Sequence, residues 1–136
     1  MSQFINRHDF TFEKIGNQFF HGLDARDNDA VAALMARDGV WMRQGTALRG
    51  PDAVKAALEK RDPSRHTAHL VSNLWVEHAT ETTARVRFYM MAFETKSDAP
   101  TPQMLGVRDS VDELVLEDGQ WRIARKESRR IMPPEA

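Results

Sequence analysis

A change of pattern near Thr67 is the feature that most constrains the fold of this chain. Before it, apolar residues recur at helical spacing. After it, the chain forms four long segments rich in valine, threonine and aromatic residues, at about 67–78, 82–96, 104–117 and 120–131. Segments of roughly 12 residues exceed the five or six of an ordinary strand, so they must bend to stay packed on a small helical layer. Helices followed by strands predict an α+β fold in which a strongly bent sheet encloses a cavity.

Three N-terminal helices are predicted to cover the concave side of this sheet. Asp9 or Thr11 can cap the first helix, and residues 1–8 are expected to form a flexible arm before it. Its apolar positions fall three or four residues apart and give one apolar face: Phe12, Ile15, Phe19 and Leu23. The second helix is expected to end at 38–39 before a short strand at 40–43, and a third opens at Gly50. A loop is expected at 97–102, where two prolines occur.

Composition indicates a single globular domain over residues 1–136. Charged residues make up 29% and hydrophobic residues 41%, which argues against disorder, and the net charge of -1 lacks the basic excess of nucleic-acid binders. No apolar run approaches the roughly 20 residues that cross a bilayer, and the first residues do not resemble a secretory signal, so no membrane association and a cytoplasmic location are expected. Without cysteine, catalysis would have to rest on His, Asp, Glu, Arg or Tyr.

Side chains alternate between the two faces of a sheet, so the sequence of the first two long strands predicts which residues share a face. His69, Val71, Asn73 and Trp75 are predicted to share one face, and Leu70, Ser72, Leu74 and Val76 the other. The next strand divides in the same way, with Ala84, Val86, Phe88 and Met90 opposite Arg85, Arg87, Tyr89 and Met91. Because both faces carry apolar residues, one is expected to pack on the helices and the other on a second copy of the chain. The sequence therefore predicts a homodimer through the outer face of the sheet.

Several further residues are candidates for the wall of the cavity. Trp41 and Arg43 alternate onto one face of the short strand, so they offer an aromatic surface beside a cation that can bind a carboxylate or enolate oxygen. Asp112 is predicted to face inward, either neutral or paired with Arg43, and Asn73 to orient a ligand carbonyl. Phe19, Phe88 and Met90 are expected to be core or pocket wall. The alternative for Trp41 and Arg43 is a core aromatic and an ordinary ion pair.

The remaining polar residues are expected to be structural or solvated. His66 and His69 alone, without a cysteine or a paired carboxylate, do not make a zinc site, so no metal and no cofactor are expected. The basic residues at 122–130, which include Lys126, are interpreted as a solvated strand face.

Five short segments in order carry a family resemblance: GLDARD at 22–27, DGVW at 38–41, LRGP at 48–51, HLVSN at 69–73 and DGQW at 118–121. Together they resemble the SnoaL-like, polyketide-cyclase-like branch of the nuclear transport factor 2-like superfamily, over about residues 10–130. The resemblance implies a cone-shaped fold, a mixed or antiparallel bent sheet on three helices around a pocket. It implies no single activity, since this fold carries isomerases, dehydratases, cyclases and non-enzymatic transport factors.

The resemblance can be transferred to a site only in part. Scytalone dehydratase-like enzymes carry an Asp at the end of the first helix and a His early in the first long strand, which match Asp24 and His69. Their second histidine has no counterpart in the sequence MMAFE at 90–94, and Leu23 stands before Asp24 where they have a tyrosine. The helix tyrosine of bile-acid dehydratase-like enzymes falls at Phe19. Ketosteroid isomerase-like enzymes match only at Asp112, so that activity is not expected.

These residues lead to a hypothesis of acid–base catalysis. His69 would act as acid and base, and Asp24 would hold its tautomer and stabilise the imidazolium. The expected reaction is a cofactor-independent dehydration, isomerisation or cyclisation of a small apolar oxygenated molecule of polyketide, steroid or aromatic type. The alternative is a non-catalytic ligand-binding or assembly subunit, in which His69 bonds a helix end and Asp24 caps the second helix. Substrate identity stays open at this point.

Overall fold

The computed structural model describes residues 2–135, with side chains from Phe10 onward. Three helices and six strands occupy this range. The helices are α1 (Ser2–Ala25), α2 (Asn28–Ala33) and α3 (Gly50–Glu59). The strands are β1 (Met35–Arg43), β2 (Thr46–Arg49), β3 (Arg65–Ala79), β4 (Thr83–Lys96), β5 (Ala99–Glu117) and β6 (Gln120–Met132). The predicted α+β class with three N-terminal helices and long C-terminal strands is confirmed.

The sheet is mixed and runs in the order β2-β1-β6-β5-β4-β3. Neighbouring strands are antiparallel except β1 and β6, which are parallel. Bulges interrupt the register of four of these pairings, for example at Asn73 in β3 and near Gly106 in β5, where both residues have a positive φ. Because a bulge bends and twists its strand, these irregularities curl the long sheet without closing it.

Helix α1 packs its apolar face against the concave side of the sheet. Phe12, Ile15, Phe19 and Leu23 are all buried, as their spacing predicts. The inward residues of β4 meet them, and these are also the predicted ones: Ala84, Val86, Phe88 and Met90. The core therefore lies between α1 and the centre of the sheet. None of the helices in the described range is both long and apolar enough to span a bilayer.

Three predicted boundaries near the N-terminal half are wrong. Helix α1 begins at Ser2 and not at a cap on Asp9 or Thr11. The expected arm at 1–8 falls on residues whose side chains lie outside the described part of the chain, and it stays a prediction. Helix α2 ends at Ala33 and β1 starts at Met35, because the amide of Ile123 donates to the carbonyl of Leu34 (2.8 Å) and draws this segment into pairing with β6.

The expected loop at 97–102 is also wrong, since Ser97 and Asp98 form a two-residue turn and β5 starts at Ala99. The prolines of this segment are tolerated because the first part of β5 pairs only with β4. Pairing with β6 begins only at Val107, so Pro100 and Pro102 interrupt no pairing on that side of the strand.

Gly39 allows β1 to approach β6 closely, and it generates a stability prediction. A Cβ at this position would lie 2.3 Å from the carbonyl oxygen of Ile123 and 3.1 Å from backbone atoms of Ala36, none of which can move alone. We expect Gly39→Ala to lower the free energy of unfolding by about 1–3 kcal/mol in urea denaturation. Gly16→Ala is the control, because its Cβ meets nothing within 4 Å and alanine stabilises a helix by about 0.5–1 kcal/mol. Equal effects of the two changes would contradict this account of Gly39.

Candidate functional site

A cavity of about 290 Å³ lies between the helices and the concave face of the sheet. Its apolar wall comes from both layers and consists mainly of Phe20, Leu23, Trp41, Leu58 and Met90. Its polar wall includes His69 and a set of cationic side chains described below. The volume is close to the lower end of pockets that hold small organic ligands, about 300 Å³.

His69 and Asp24 meet at the edge of this cavity, although 45 residues separate them in the chain. Asp24 lies in the last turn of α1, and its Oδ1 is 2.6 Å from Nδ1 of His69. Its Oδ2 accepts from the backbone amide of His69 (2.8 Å), and Oδ1 also accepts from the hydroxyl of Thr67 (2.8 Å). Because an ionised carboxylate can only accept, Nδ1 is the donor and Nε2 keeps its lone pair. The arrangement is that of a base held by an orienting carboxylate.

The environment of His69 favours the neutral imidazole. Burial lowers the pKa of His69 below its ordinary value of 6.5, and the cations Arg61 and Arg65 lower it further. The hydrogen bond and charge of Asp24 raise the pKa, but by less than burial lowers it. The ring is stacked on Phe20, with centroids 5.1 Å apart and planes at 27°. At neutral pH His69 is therefore available as a base.

Three of the predicted wall residues line the cavity, namely Trp41, Arg43 and Met90. The guanidinium carbon of Arg43 lies 5.4 Å from the centre of the Trp41 ring, which matches the predicted aromatic surface beside a cation. Phe19 and Phe88 are buried in the core and do not line the cavity. Phe19 supports the wall from behind, since its ring meets that of Trp41 edge-on at 5.1 Å.

The prediction that Asn73 shares the face of His69 is wrong. Asn73 has a φ of 56° and occupies a bulge between Ser72 and Trp75, which shifts the alternation of β3 by one residue. Beyond the bulge, Leu74 packs against the core, while Asn73 and Trp75 are exposed on the outer face. Asn73 is therefore not part of this cavity, and nothing in its residue type distinguished a bulge from a continued strand.

Asp112 is buried as predicted, but its partner is Lys126 and not Arg43. Nζ of Lys126 lies 3.1 and 3.2 Å from the two carboxylate oxygens, and both side chains are about 95% buried. Burial raises the pKa of Asp112, and the charge and hydrogen bonds of Lys126 oppose this rise. The ammonium also lies 4.3, 4.6 and 5.2 Å from the ring centres of Phe19, Phe20 and Phe88. The interpretation of Lys126 as part of a solvated face is therefore wrong.

Sequence reasoning missed four arginines that line the cavity: Arg61, Arg65, Arg108 and Arg130. Two of them could have been found from the sequence. Arg65 lies an even number of residues from His69 in β3, and Arg108 lies an even number from Asp112 in β5, so each is expected on the same strand face as that residue. Arg61 follows α3 and donates to the carbonyl of Leu23 (2.8 Å) and the hydroxyl of Thr67 (3.2 Å), a position that only the tertiary structure reveals.

The histidines at 21, 66 and 78 are exposed. Across the described residues, no group of three or more His, Cys, Asp or Glu is placed to hold a metal ion.

The pKa of His69 provides a test of the geometry that needs no substrate. We expect it to titrate below 6.5 by NMR, and Asp24→Asn to lower its pKa further, because burial and the two arginines remain while the acceptor is lost. The imidazole of His69 has a lower pKa in the folded chain than in the unfolded chain, so below about pH 6.5 the unfolded chain binds its proton more readily. We therefore expect His69 to lower the free energy of unfolding as the pH falls below about 6.5. Asp52→Asn in α3 should leave the titration unchanged. A rise in the pKa of His69 in Asp24→Asn would contradict the hydrogen-bonded pair.

The fold and sequence were compared with those of known proteins. The family model for SnoaL-like domains matches residues 13–127. A candidate scytalone dehydratase from Novosphingobium aromaticivorans is 26% identical, with a TM-score of 0.84 over 96% of this chain and 88% of that one. Rv3472, a Mycobacterium tuberculosis protein of unknown function, is 21% identical, with a TM-score of 0.82 over 95% of this chain and 73% of that one.

ActVI-ORFA from Streptomyces coelicolor is 18% identical, with a TM-score of 0.75 over 88% of this chain and 93% of that one. At this identity it shares the fold alone with this chain, and the same holds for Rv3472. Comparison with curated protein sequences gives no significant match. Because the family model covers most of the chain, this protein belongs to the SnoaL-like domain family, with the cone-shaped fold of nuclear transport factor 2-like proteins.

Proposed function

We propose that this protein binds a small oxygenated molecule in the 290 Å³ cavity and catalyses its dehydration, isomerisation or cyclisation without a cofactor. The observation that carries the proposal is the 2.6 Å contact between Nδ1 of His69 and Oδ1 of Asp24 at the wall of that cavity. The similarity to a candidate scytalone dehydratase supports the same class of chemistry. A lyase or an isomerase is therefore the expected enzyme class.

The three candidate reactions share a first step that His69 can perform. Nε2 removes a proton from the carbon next to a carbonyl, and the electron pair moves to the carbonyl oxygen to give an enolate. The imidazolium that forms is stabilised by Asp24, which remains ionised. In a dehydration, the imidazolium then protonates the departing hydroxyl group, which leaves as water as the double bond forms. In an isomerisation it returns the proton to a different carbon. In a cyclisation the carbanion attacks the carbon of a second carbonyl, the electron pair of that C=O bond moves to its oxygen, and the imidazolium protonates the resulting alkoxide.

The rival hypothesis is a binding protein with the same cavity and no chemistry. It predicts that ligands bind but leave unchanged. On that hypothesis, the three hydrogen bonds to the carboxylate of Asp24 serve only to attach α1 to β3. His69 lines the cavity and no described residue hydrogen-bonds its Nε2, which favours catalysis, because a purely structural histidine has no need of a free basic nitrogen beside a cavity.

Hydrogen exchange at the α-carbon tests catalysis before the reaction is known. A panel of cyclic ketones with a β-hydroxyl group would be incubated with the protein in D₂O, with exchange followed by NMR and water loss by mass spectrometry. We expect His69→Gln to reduce exchange by roughly 10²–10⁴-fold. Asp24→Asn should reduce it in the same direction, because the imidazole then loses the acceptor that fixes its tautomer.

His66→Gln is the matched control, since His66 lies in the same strand but is exposed. It should exchange at the wild-type rate. Binding of the ketones without exchange above the buffer rate would support the non-catalytic rival. Exchange that persists in His69→Gln would remove His69 from the mechanism.

The outer face of the sheet supports a second proposal, the homodimer expected from the sequence. Leu70, Trp75 and Tyr89 are exposed there at 49%, 54% and 40%. Large apolar residues of this kind on neighbouring strands form a patch that a second copy can cover. Charged residues on the same face, including Arg87 with Glu77 and Asp109, are already paired within the chain. Cytoplasmic location and the absence of nucleic-acid or membrane partners stay predictions.

Light scattering tests the homodimer. We expect a mass twice the 15.5 kDa of one chain at micromolar concentration, and Trp75→Glu should return the protein to the monomer mass, because it buries a charge in the contact. Phe10→Glu, on the exposed side of α1, should leave the dimer intact. A wild-type mass of one chain would contradict the proposal.

A further inference from the structure

The cavity is surrounded by an excess of positive charge that the net charge of -1 does not suggest. Six cationic side chains line it: Arg43, Arg61, Arg65, Arg108, Lys126 and Arg130. The one carboxylate among the lining residues is Glu127, which is exposed and paired with Arg125 (3.1 Å). Cations concentrated in a concave site focus the field on whatever enters it. The charge of the cavity is therefore a local feature that the fold assembles from separate elements.

Three of these cations are neutralised by acids of the protein itself. Lys126 pairs with Asp112, Arg65 pairs with Glu94, and Arg108 lies 3.2 Å from Glu135. Their charges are thus accounted for without a ligand. Among the described residues, no carboxylate lies within ion-pair distance of the other three, which are Arg43, Arg61 and Arg130.

Arg43 is distinguished from the other two by having no hydrogen-bond acceptor among the described residues. Arg61 donates to the carbonyl of Leu23 and to Thr67, and Arg130 donates to the carbonyl of Pro133 (2.8 Å). Arg43 is half-buried, and its guanidinium makes a favourable contact with the ring of Trp41. Burial and the neighbouring charge of Arg65 both lower its pKa, and the charge of Arg43 in turn lowers that of Arg61. A guanidinium with five donors is therefore held at the wall beside like charges.

A ligand group that offsets the repulsion between Arg43 and the neighbouring arginines must be an anion, and it must accept hydrogen bonds from the planar guanidinium. A carboxylate fits Arg43, because its two oxygens match two parallel N–H groups of a guanidinium, and Arg43 alone of the three unpaired arginines has no hydrogen-bond acceptor among the described residues. The flat ring of Trp41 beside Arg43 favours an aromatic or cyclic body next to that group.

We propose that the natural ligand carries a carboxylate that binds Arg43, with its ring system against Trp41 and its reactive carbon toward His69. The position of the reactive carbon rests on the proposed function, whereas recognition of the carboxylate does not. The ligand is thus a cyclic or aromatic acid, more specific than the apolar oxygenated molecule expected from the sequence.

Binding of matched probes tests this inference. Dissociation constants would be measured by calorimetry for 2-naphthoate, 2-naphthamide and 2-naphthyl phosphate with the wild-type protein. We expect 2-naphthoate to bind at least roughly tenfold more tightly than the amide, which has the same shape without the charge. Arg43→Met should abolish that preference and leave the affinity for the amide within about threefold of the wild-type value. The side-chain Nε–H resonance of Arg43 should shift when 2-naphthoate is added.

Arg129→Met is the control, since Arg129 is exposed in β6 and does not line the cavity. It should keep the wild-type preference. Equal affinity for naphthoate and naphthamide, no binding of either, or a preference that survives Arg43→Met would overturn the inference. Tighter binding of the phosphate than of the carboxylate would overturn the carboxylate assignment. A wild-type preference for 2-naphthoate combined with no α-proton exchange by the wild-type protein would leave the ligand class standing while the proposed catalysis fails.

Discussion

The carboxylate of Asp24 is the interaction on which the site depends. It accepts from the hydroxyl of Thr67 and from both the amide and the ring of His69, and so it fastens the last turn of α1 to the start of β3. One edge of the cavity is fixed by this contact, because α1 carries Phe20 and Leu23 and β3 carries His69. The bond to Nδ1 also orients the imidazole. Structural attachment and chemical orientation therefore come from a single side chain, and a neutral residue at this position would weaken both.

Electrostatics divides the concave face of the sheet into two regions. In the deeper region, Asp112 and Lys126 neutralise each other among the rings of Phe19, Phe20 and Phe88. Removing one partner would leave a buried charge without compensation, which typically costs about 3–5 kcal/mol, so neither charge can change alone. Toward the mouth, no carboxylate of the described residues lies within ion-pair distance of Arg43 or Arg61, although Asp24 is close enough for its charge to raise the pKa of Arg61. The fold thus neutralises the pair that it buries completely, whereas half-buried Arg43 at the cavity wall has no acid within ion-pair distance among the described residues.

The spacing of apolar and polar residues predicted those parts of the site where a helix or strand runs without interruption. The apolar spacing of α1 and the alternation of β4 placed their buried residues correctly, because helix and strand periods there run without interruption. Asp24 and His69 were found through the family resemblance, and the structure places them in contact. Asn73 was placed on the wrong face because one extra residue in a strand reverses every side chain after it. Lys126 was misplaced because its neighbours in sequence are solvated.

The sequence by itself determined the fold class and the inward faces of uninterrupted elements, since these follow from periodicity within single segments, and it determined the family through five short segments that resemble SnoaL-like domains. Only the tertiary structure decided where bulges fall, that Asp112 pairs with Lys126, and which arginines converge on the cavity. Those arginines come from β1, β3, β5, β6 and the segment after α3, so no window of sequence contains them together. Their common location is set by how the sheet curls, and the curl arises from long-range register shifts. The charge around the cavity is therefore a property of the assembled cone, whereas its apolar interior is already present in the pattern of residues.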